Sequence, residues 1–370
     1  MNKVHSQSIM SADAKKLEVF DIGTDSEVEA FKNFINTINP DNPFYKPELF
    51  KEAGNIDGNI RYFVYFENNK PCILMSFYLR SIKINGEITE YKDTTSPYGY
   101  SGPLFQPDID HEKLQSFWEM VDAWYRENNV VAEFIRFSLN GNHIGYTGTP
   151  FATLNNVKGK LISKETQWEN FKPKVRNNYR KAQKEGLEFV MHHGDISPEI
   201  VSQFYDIYIK TMQRNKAVDY YYFPKSYFSE YLENNPKNAA IAMVLLNGMA
   251  ISTEFILLSS STIFSYLGGT LAEFFHTRPN DFLKINVMDW GRENDRTHYV
   301  LGGGRSNDDQ LYKYKKDFFP KEEDLIYYTG RKIVLPEVYQ KLVNRTLDKP
   351  EDFPSIEEGY FPAYRSASGK

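Results

Sequence analysis

TIFSYLGGTLAEFFHTRPNDFLKINVMDWGRENDRTHYVLGGGRSNDDQLYKYKKDFFP, residues 262–320, is the stretch from which the fold can be read. Thr262 to Leu267 is a short apolar strand, and Gly268 with Gly269 is expected to break it. After an irregular loop, Leu283, Val287 and Trp290 recur at i, i+4 and i+7, the spacing of one helix face. A second strand, His298 to Leu301, ends in three glycines, and a basic aromatic run from Leu311 to Pro320 closes the segment. Strand, crossover helix and strand make a parallel pair, with the glycines where the strands would open into a site. Doubled and tripled glycines after apolar strands suit either turns of positive φ or close approach of backbone to a ligand.

On either side of this unit the chain reads as alternating short strands and amphipathic helices. Thr24 with Glu27 forms a capping box ahead of a helix that stops before Pro40. Asn68-Asn69, Asn85-Gly86 and Asn247-Gly248 mark hairpin turns. Asp110 caps a helix bearing Leu114, Phe117, Trp118, Val121 and Tyr125, and Val130 to Phe137 is a strand. Ser197-Pro198 opens another helix. Residues 138–160, rich in Asn, Gly and Thr, are expected to be loop holding the boundary between halves. Both halves repeat one order of helix, hairpin, strand, glycine-rich loop, helix and strand. The fold class expected is therefore mixed α/β, two copies of one fold, with residues 13–155 completed by 325–370 and residues 156–324 forming the second copy.

Composition narrows the function. A chain of 370 residues suits two cores. Its formal net charge of -5 gives no general attraction for nucleic acid, and DNA is not an expected partner. Cys72 is the only cysteine, which rules out an intramolecular disulfide and a thiolate metal cluster. No apolar run reaches about 18 residues, and the polar start has no signal-peptide core, so a cytoplasmic location without a transmembrane segment is expected. There is no GxxxxGK[ST], no GxGxxG between strand and helix, no HExxH and no GxSxG. Kinase, dinucleotide, zinc-protease and serine-hydrolase readings fall away, and no metal is expected.

Three constellations remain. Lys172 to Lys184 holds six basic residues and no acid, with Arg176, Arg180 and Lys184 along one face and Val175, Tyr179 and Ala182 on the other. That face suits phosphate or carboxylate, or is simply solvated. The loop TTSPYGYSGPLFQP (94–107) presents Tyr98, Tyr100 and Phe105, rings that could stack on sugar or line a wall. Asp308 and Asp309, after the triple glycine and Arg305, could act as base or cap a helix.

With these motifs in order, the chain resembles the Fem-type branch of the GNAT acyltransferase superfamily, which adds amino acids to the peptidoglycan bridge, and its relatives in bacterial polysaccharide gene clusters. The matching pieces are VRNNYRKAQKEGLEF (175–189), FSYLGGT (264–270), LKINVMDWGREND (283–295) and HYVLGGGRSNDDQLYKYKKDFFP (298–320), with SPYGYSGPLF (96–105) similar to a loop of the polysaccharide-cluster relatives. The resemblance implies two GNAT-like lobes, each a mostly antiparallel sheet flanked by helices. It also implies transfer of an acyl or aminoacyl group to an amine of a small-molecule or glycan- or nucleotide-linked precursor. The helical hairpin used beside transfer RNA has no counterpart, and the Q/R-x-x-G-x-G/A pyrophosphate loop is missing after Gly269. The donor is thus left between acyl-coenzyme A and aminoacyl-tRNA, with no tightly bound cofactor implied and the oligomeric state open.

Within that reading the developing oxyanion would meet amides near Gly268 and Gly303, and Asp309 would be the base. Lys315 is the side chain of first interest. Leu311, Tyr314 and Phe318 form an apolar stripe, and Lys315 sits at its margin, where a long stem can lie on apolar surface while the ammonium reaches a cleft. Tyr314, Lys315 and Phe318 also match the Fem-type aromatic-lysine pair. A binding protein without turnover and an ordinary acetyl-coenzyme A acetyltransferase are the alternatives.

Overall fold

The computed structural model describes residues 8–10, 15–50, 58–346, 356 and 359–369. The chain divides into two compact units. One comprises Met1–Pro40, Asn55–Thr153 and Tyr327–Lys370, the other Asp41–Gly54 and Leu154–Ile326. The polar start lies largely outside the described residues. Its described part, Ser8–Met10, is strand β1, paired with β2 (Lys15–Asp21).

The first unit continues with α1 (Asp25–Ile38), β3 (Asn59–Glu67), β4 (Lys70–Ile84), β5 (Glu87–Thr95), β6 (Leu104–Phe105), α2 (His111–Glu127) and β7 (Val130–Arg136). The capping box at Thr24 is present, with both reciprocal bonds made, and Asp110 caps α2 through the Glu112 amide. Asn68 and Asn69 have φ of 50° and 60°, and Asn85 and Gly86 of 52° and 85°, the doubly positive turns that match strand twist.

The second unit holds β8 (Thr149–Lys160), α3 (Lys164–Asn170), α4 (Pro173–Lys184), β9 (Glu188–His193), α5 (Pro198–Arg214), α6 (Lys225–Asn234), β10 (Ala239–Leu246), β11 (Met249–Leu258), β12 (Thr262–Thr270), α7 (Pro279–Glu293), β13 (His298–Gly302) and α8 (Gln310–Lys316). The chain then returns to the first unit as β14 (Leu325–Ile333) and α9 (Pro336–Thr346), β14 pairing antiparallel with β7.

Each sheet repeats the other. In the first, β2, β3, β4 and β5 pair antiparallel in turn, β5 and β7 run parallel, and β14 closes antiparallel on β7. In the second, β9, β10, β11 and β12 do the same, β12 and β13 run parallel, and β8 closes on β13. Helix α2 covers one face of the first sheet with Phe117, Trp118, Val121, Trp124 and Tyr125, while α1 sets Phe31 and Phe34 against Tyr62 on the other. The second sheet lies between α4 and α7 on one face and α5 with α6 on the other, where Phe204, Phe228 and Phe255 meet edge to face or tilted. The fold is two mixed α/β lobes, as the repeated element order predicts.

Three expectations need correction. Residues 149–160 are a strand, not loop. Its polar residues suit a face left largely exposed, and Val157 to Lys160 pair with β13. Residues 41–54 belong with the second unit rather than the first, because Phe44 packs against Phe264 and Tyr231 donates to the Pro43 carbonyl at 2.6 Å. The glycines Gly268 and Gly269 do not break their strand, since β12 runs through both to Thr270.

Candidate active site

The parallel pair β12/β13 is short. Only Thr262 to Phe264 pair with His298 to Val300, although β12 continues six residues further against β11. A register shift between Phe255 and Ile256 marks an irregularity in the β11/β12 ladder there, a common way to re-aim strand residues. Beyond it, β12 has no strand partner on the β13 side among the described residues, so its main-chain groups border an opening. In the first unit the corresponding strands stay tied. The Ser96 amide donates to the Phe134 carbonyl at 3.0 Å, and the Ser96 hydroxyl accepts from the Arg136 amide at 2.9 Å.

Gly268 and Gly269 serve packing at this point. A Cβ on Gly268 would lie 2.5 Å from the Thr253 carbonyl oxygen on β11, and one on Gly269 would meet Thr211 and the Ile207 carbonyl of α5. On the side where a Cβ would stand, neighbouring protein fills the space. Gly303 likewise faces the Asn155 carbonyl at 2.8 Å from an added Cβ.

Helix α8 is fixed beside the end of β13 by the pair of phenylalanines just past its C-terminal end. Phe318 and Phe319 are buried, and the Phe319 ring occupies the space a side chain at Gly159 of β8 would need. Leu311 is exposed, so the stripe expected to include it is formed instead by Tyr312, Tyr314, Phe318 and Phe319. At its start Asp309 is the N-cap, accepting from the Tyr312 and Arg305 amides, each at 2.7 Å. These amide bonds hold its carboxyl below the usual range, which makes Asp309 a weak base and corrects the role expected of it.

The three lysines of α8 have separate fates. Lys313 is exposed, and Lys316 pairs with Asp324 at 2.8 Å. Lys315 turns its enclosed ammonium to the Gly303 carbonyl at 2.6 Å. Burial, and then the neighbouring Lys284 charge, push its pKa down to about 8, with Glu254 and Asp309 opposing. Next to it Tyr314 is held in the core, its hydroxyl buried without a hydrogen-bond partner and its pKa raised by burial and by Asp281 and Glu254.

Behind Lys315 lies a polar network that sequence reasoning misses. Lys284 of α7 donates to Glu254 of β11 at 2.5 Å, to the Ser265 hydroxyl of β12 at 2.9 Å and to the Tyr299 hydroxyl of β13 at 3.3 Å. Tyr299 donates to the second Glu254 oxygen at 2.7 Å, and Ser265 also donates to Glu254. Asp281, in the first turn of α7, is the other overlooked group. Burial raises its pKa to about 6 against a hydrogen bond from Asn178 and the charges of Lys174 and Arg278. No spacing rule links these residues. An acid in the apolar strand run STEFILL and a lysine within the apolar helix LKINVM are the available signals.

The basic helix forms with Val175 and Ala182 buried, but Arg176 does not face a ligand. Its guanidinium donates to the carbonyls of Trp168, Glu169 and Phe171 and so finishes α3, which corrects the expectation of a phosphate contact. Arg180 lies over the Trp168 ring at 5.3 Å and donates to Asn177 at 3.3 Å. Arg305 is exposed. Tyr98 and Tyr100 are half-buried in the first unit, Tyr100 edge to face with Tyr327 at 5.8 Å. Among the described residues no three His, Cys, Asp or Glu side chains are grouped to hold a metal ion, and no helix is long and apolar enough to cross a membrane.

The first unit has a buried network of its own, and it is closed. Glu133 accepts from Tyr125 at 2.5 Å and from Tyr146 at 2.9 Å and faces Lys332 at 3.5 Å, while Lys332 pairs with Asp122 at 2.5 Å. There the buried ammonium, that of Lys332, is paired with carboxylates, whereas that of Lys315 meets a main-chain carbonyl.

Residues 170–316 match the family model described as an acetyltransferase (GNAT) domain. No curated protein sequence matches the chain. Among solved structures, FemX is similar over 88% of this chain and 99% of its own, with a TM-score of 0.59 at 13% identity. The structure named L-PGS, from Bacillus licheniformis, covers 84% of this chain and 92% of its own at 14% identity and a TM-score of 0.53. A conserved protein from Bacteroides thetaiotaomicron covers 89% of this chain and all of its own, 100%, at 9% identity and a TM-score of 0.52. Residues 170–316 of the second unit are thus similar to an acetyltransferase (GNAT) domain, and the fold of the chain is similar to that of FemX.

Proposed function

We propose that this protein is an N-acyltransferase that moves an acyl or aminoacyl group onto an amine of a cell-wall or polysaccharide precursor by direct attack. The observation that carries the reading is the Lys315 ammonium, enclosed at the end of the β12/β13 opening with one protein acceptor, the Gly303 carbonyl. A thioester or aminoacyl ester carbonyl seated there would gain a proton donor for its developing negative charge. Main-chain N–H groups near Gly268 and Gly303 are further donors on that path. The amine nitrogen bonds to the carbonyl carbon, the bond to sulfur or ester oxygen breaks, and the amine proton leaves with a base.

Asp281, with its pKa near 6, has the better basicity for that role than Asp309, because it is ionised at neutral pH yet still able to take a proton. The GNAT match over residues 170–316 and the FemX-like fold support acyl transfer in general, and the motif resemblance supports the class of acceptor. Of the two arginines on the basic helix, Arg180 is the one left available to an anionic acceptor. The test is a panel of acyl-coenzyme A and aminoacyl-tRNA donors against amine-bearing precursors, read by mass spectrometry. A product mass increased by the acyl group supports the reading. Ligand binding without turnover over the whole panel would replace it with a binding role.

A further inference from the structure

Lys284 offers nothing to a ligand, because its three protons are spent on Glu254, Ser265 and the Tyr299 hydroxyl. Glu254 is equally engaged, with one oxygen facing Lys284 and Ser265 and the other accepting from Tyr299. Both side chains are nearly inaccessible, at 12% and 4% exposure. Such a pair stabilises little by itself, since desolvation offsets most of the attraction, so its retention asks for another reason. The reason lies next door. Lys315 is attracted by Glu254 and repelled by Lys284, and the remaining charge that faces it is Asp309 at the N-cap of its own helix.

We propose that Lys284 is a positioning residue for Lys315: by occupying the Glu254 carboxylate it keeps the second lysine from collapsing onto that buried anion, and leaves the Lys315 ammonium at the Gly303 carbonyl, facing the opening. This rests on the reading of Lys315 as the group that meets the reacting carbonyl. Without Lys284, Glu254 is a buried carboxylate holding only hydroxyl donors, and Lys315 is the cation its field already reaches. The ammonium then leaves Gly303, and its proton is held more firmly. Tyr299 and Ser265 serve the same end by fixing Lys284 from two strands, β13 and β12, just where these part.

The experiment is competitive labelling of the intact protein with acetic anhydride across pH, with the Lys315 peptide quantified by mass spectrometry. It reads the protonation of Lys315 whether or not any donor or acceptor is known. In Lys284→Met the labelling midpoint of Lys315 should rise by about one pH unit or more, as expected when a like charge is removed and an opposite one exposed. Glu254→Gln, which leaves the two lysines facing one another, should lower it. In Glu254→Gln/Lys284→Met both charges are gone and the midpoint should return toward wild type. Where transfer is measurable, Lys284→Met should lose about tenfold or more in kcat and the double variant should recover part of it. An unchanged midpoint in either single variant, or a double variant that stays with Lys284→Met, overturns the proposal. If Lys284→Met does not fold, Glu254→Gln and the double variant still decide it by the direction of their shifts. Labelling that behaves as stated in a protein that transfers nothing would keep the positioning role and remove the proposed activity.

Discussion

An enclosed ammonium beside another lysine and an enclosed carboxyl with a raised pKa are both costly to hold, and in this protein they lie in one domain. For Lys315, with a folded pKa of about 8 against an ordinary 10.5, the unfolded chain binds more protons between those values, so stability rises with pH across that window. Activity that needs the ammonium moves the other way, and turnover should fall as pH passes about 8, with the limb absent in Lys315→Ala. Lys313→Ala, at an exposed site, should keep both rate and limb. For Asp281 the folded pKa is raised to about 6 from 3.8, so the protein is favoured below the lower value and loses that contribution as pH rises through about 6. Asp281→Asn should therefore stabilise the protein at pH 7 by about 1–3 kcal/mol, with the gain vanishing near pH 4. If it acts as base, the same variant loses turnover. Thermal melts at the two pH values check the first statement, and a stabilised variant with full turnover would assign Asp281 to structure alone. Lys315 is legible in the sequence because a local motif flanks it. Asp281, Glu254 and Lys284 are not, since their meaning comes from partners on other strands and helices.

Helices and hairpins are legible where the signal is local. A capping box needs only Thr24 and Glu27, and a doubly positive turn only Asn247 and Gly248. β8 escapes the sequence because a largely exposed strand lacks an apolar alternation, and its Asn and Gly residues imitate loop. The triple glycine and Gly268-Gly269 suggest a ligand-facing backbone, whereas neighbouring backbone explains the missing side chains at Gly268, Gly269 and Gly303. Arg176 shows the same limit, because a basic helix face looks alike whether a residue meets solvent, ligand or the end of another helix. Arg176→Ala should lower stability by about 1–2 kcal/mol through the lost carbonyl bonds at the end of α3. Arg180→Ala should leave the melting temperature nearly unchanged and weaken an anionic acceptor. Equal loss of acceptor affinity in both variants, with no change in stability, would reverse these assignments.

The duplicated architecture is readable from element order, while the place of segment 41–54 is not, since its attachment depends on contacts far along the chain. Each sheet is closed by a strand that lies elsewhere in the order: β8 precedes the second sheet in sequence, and β14 follows it to complete the first. The first unit is also held by the end of the chain. Asp93, fully buried on β5, meets Arg80 at 2.7 Å, Arg365 at 2.5 Å and the Tyr364 hydroxyl at 3.0 Å. Arg365→Ala should cost about 2–4 kcal/mol in denaturant unfolding, the range for breaking a buried pair while a second arginine remains. An unchanged midpoint would show the tail to be dispensable. The two lobes thus differ in kind: the first has its buried charges matched and its parallel strands tied, the second keeps an opening and an ammonium directed to its edge. Acyl transfer with an isotopically labelled donor, compared between wild type and Lys315→Ala under saturating substrate, tests that difference. The wild type should place the labelled group on the acceptor amine, and the variant should be slower by about a hundredfold or more, the usual effect of removing an oxyanion donor. Equal rates in the two proteins would contradict the assignment of the site to Lys315.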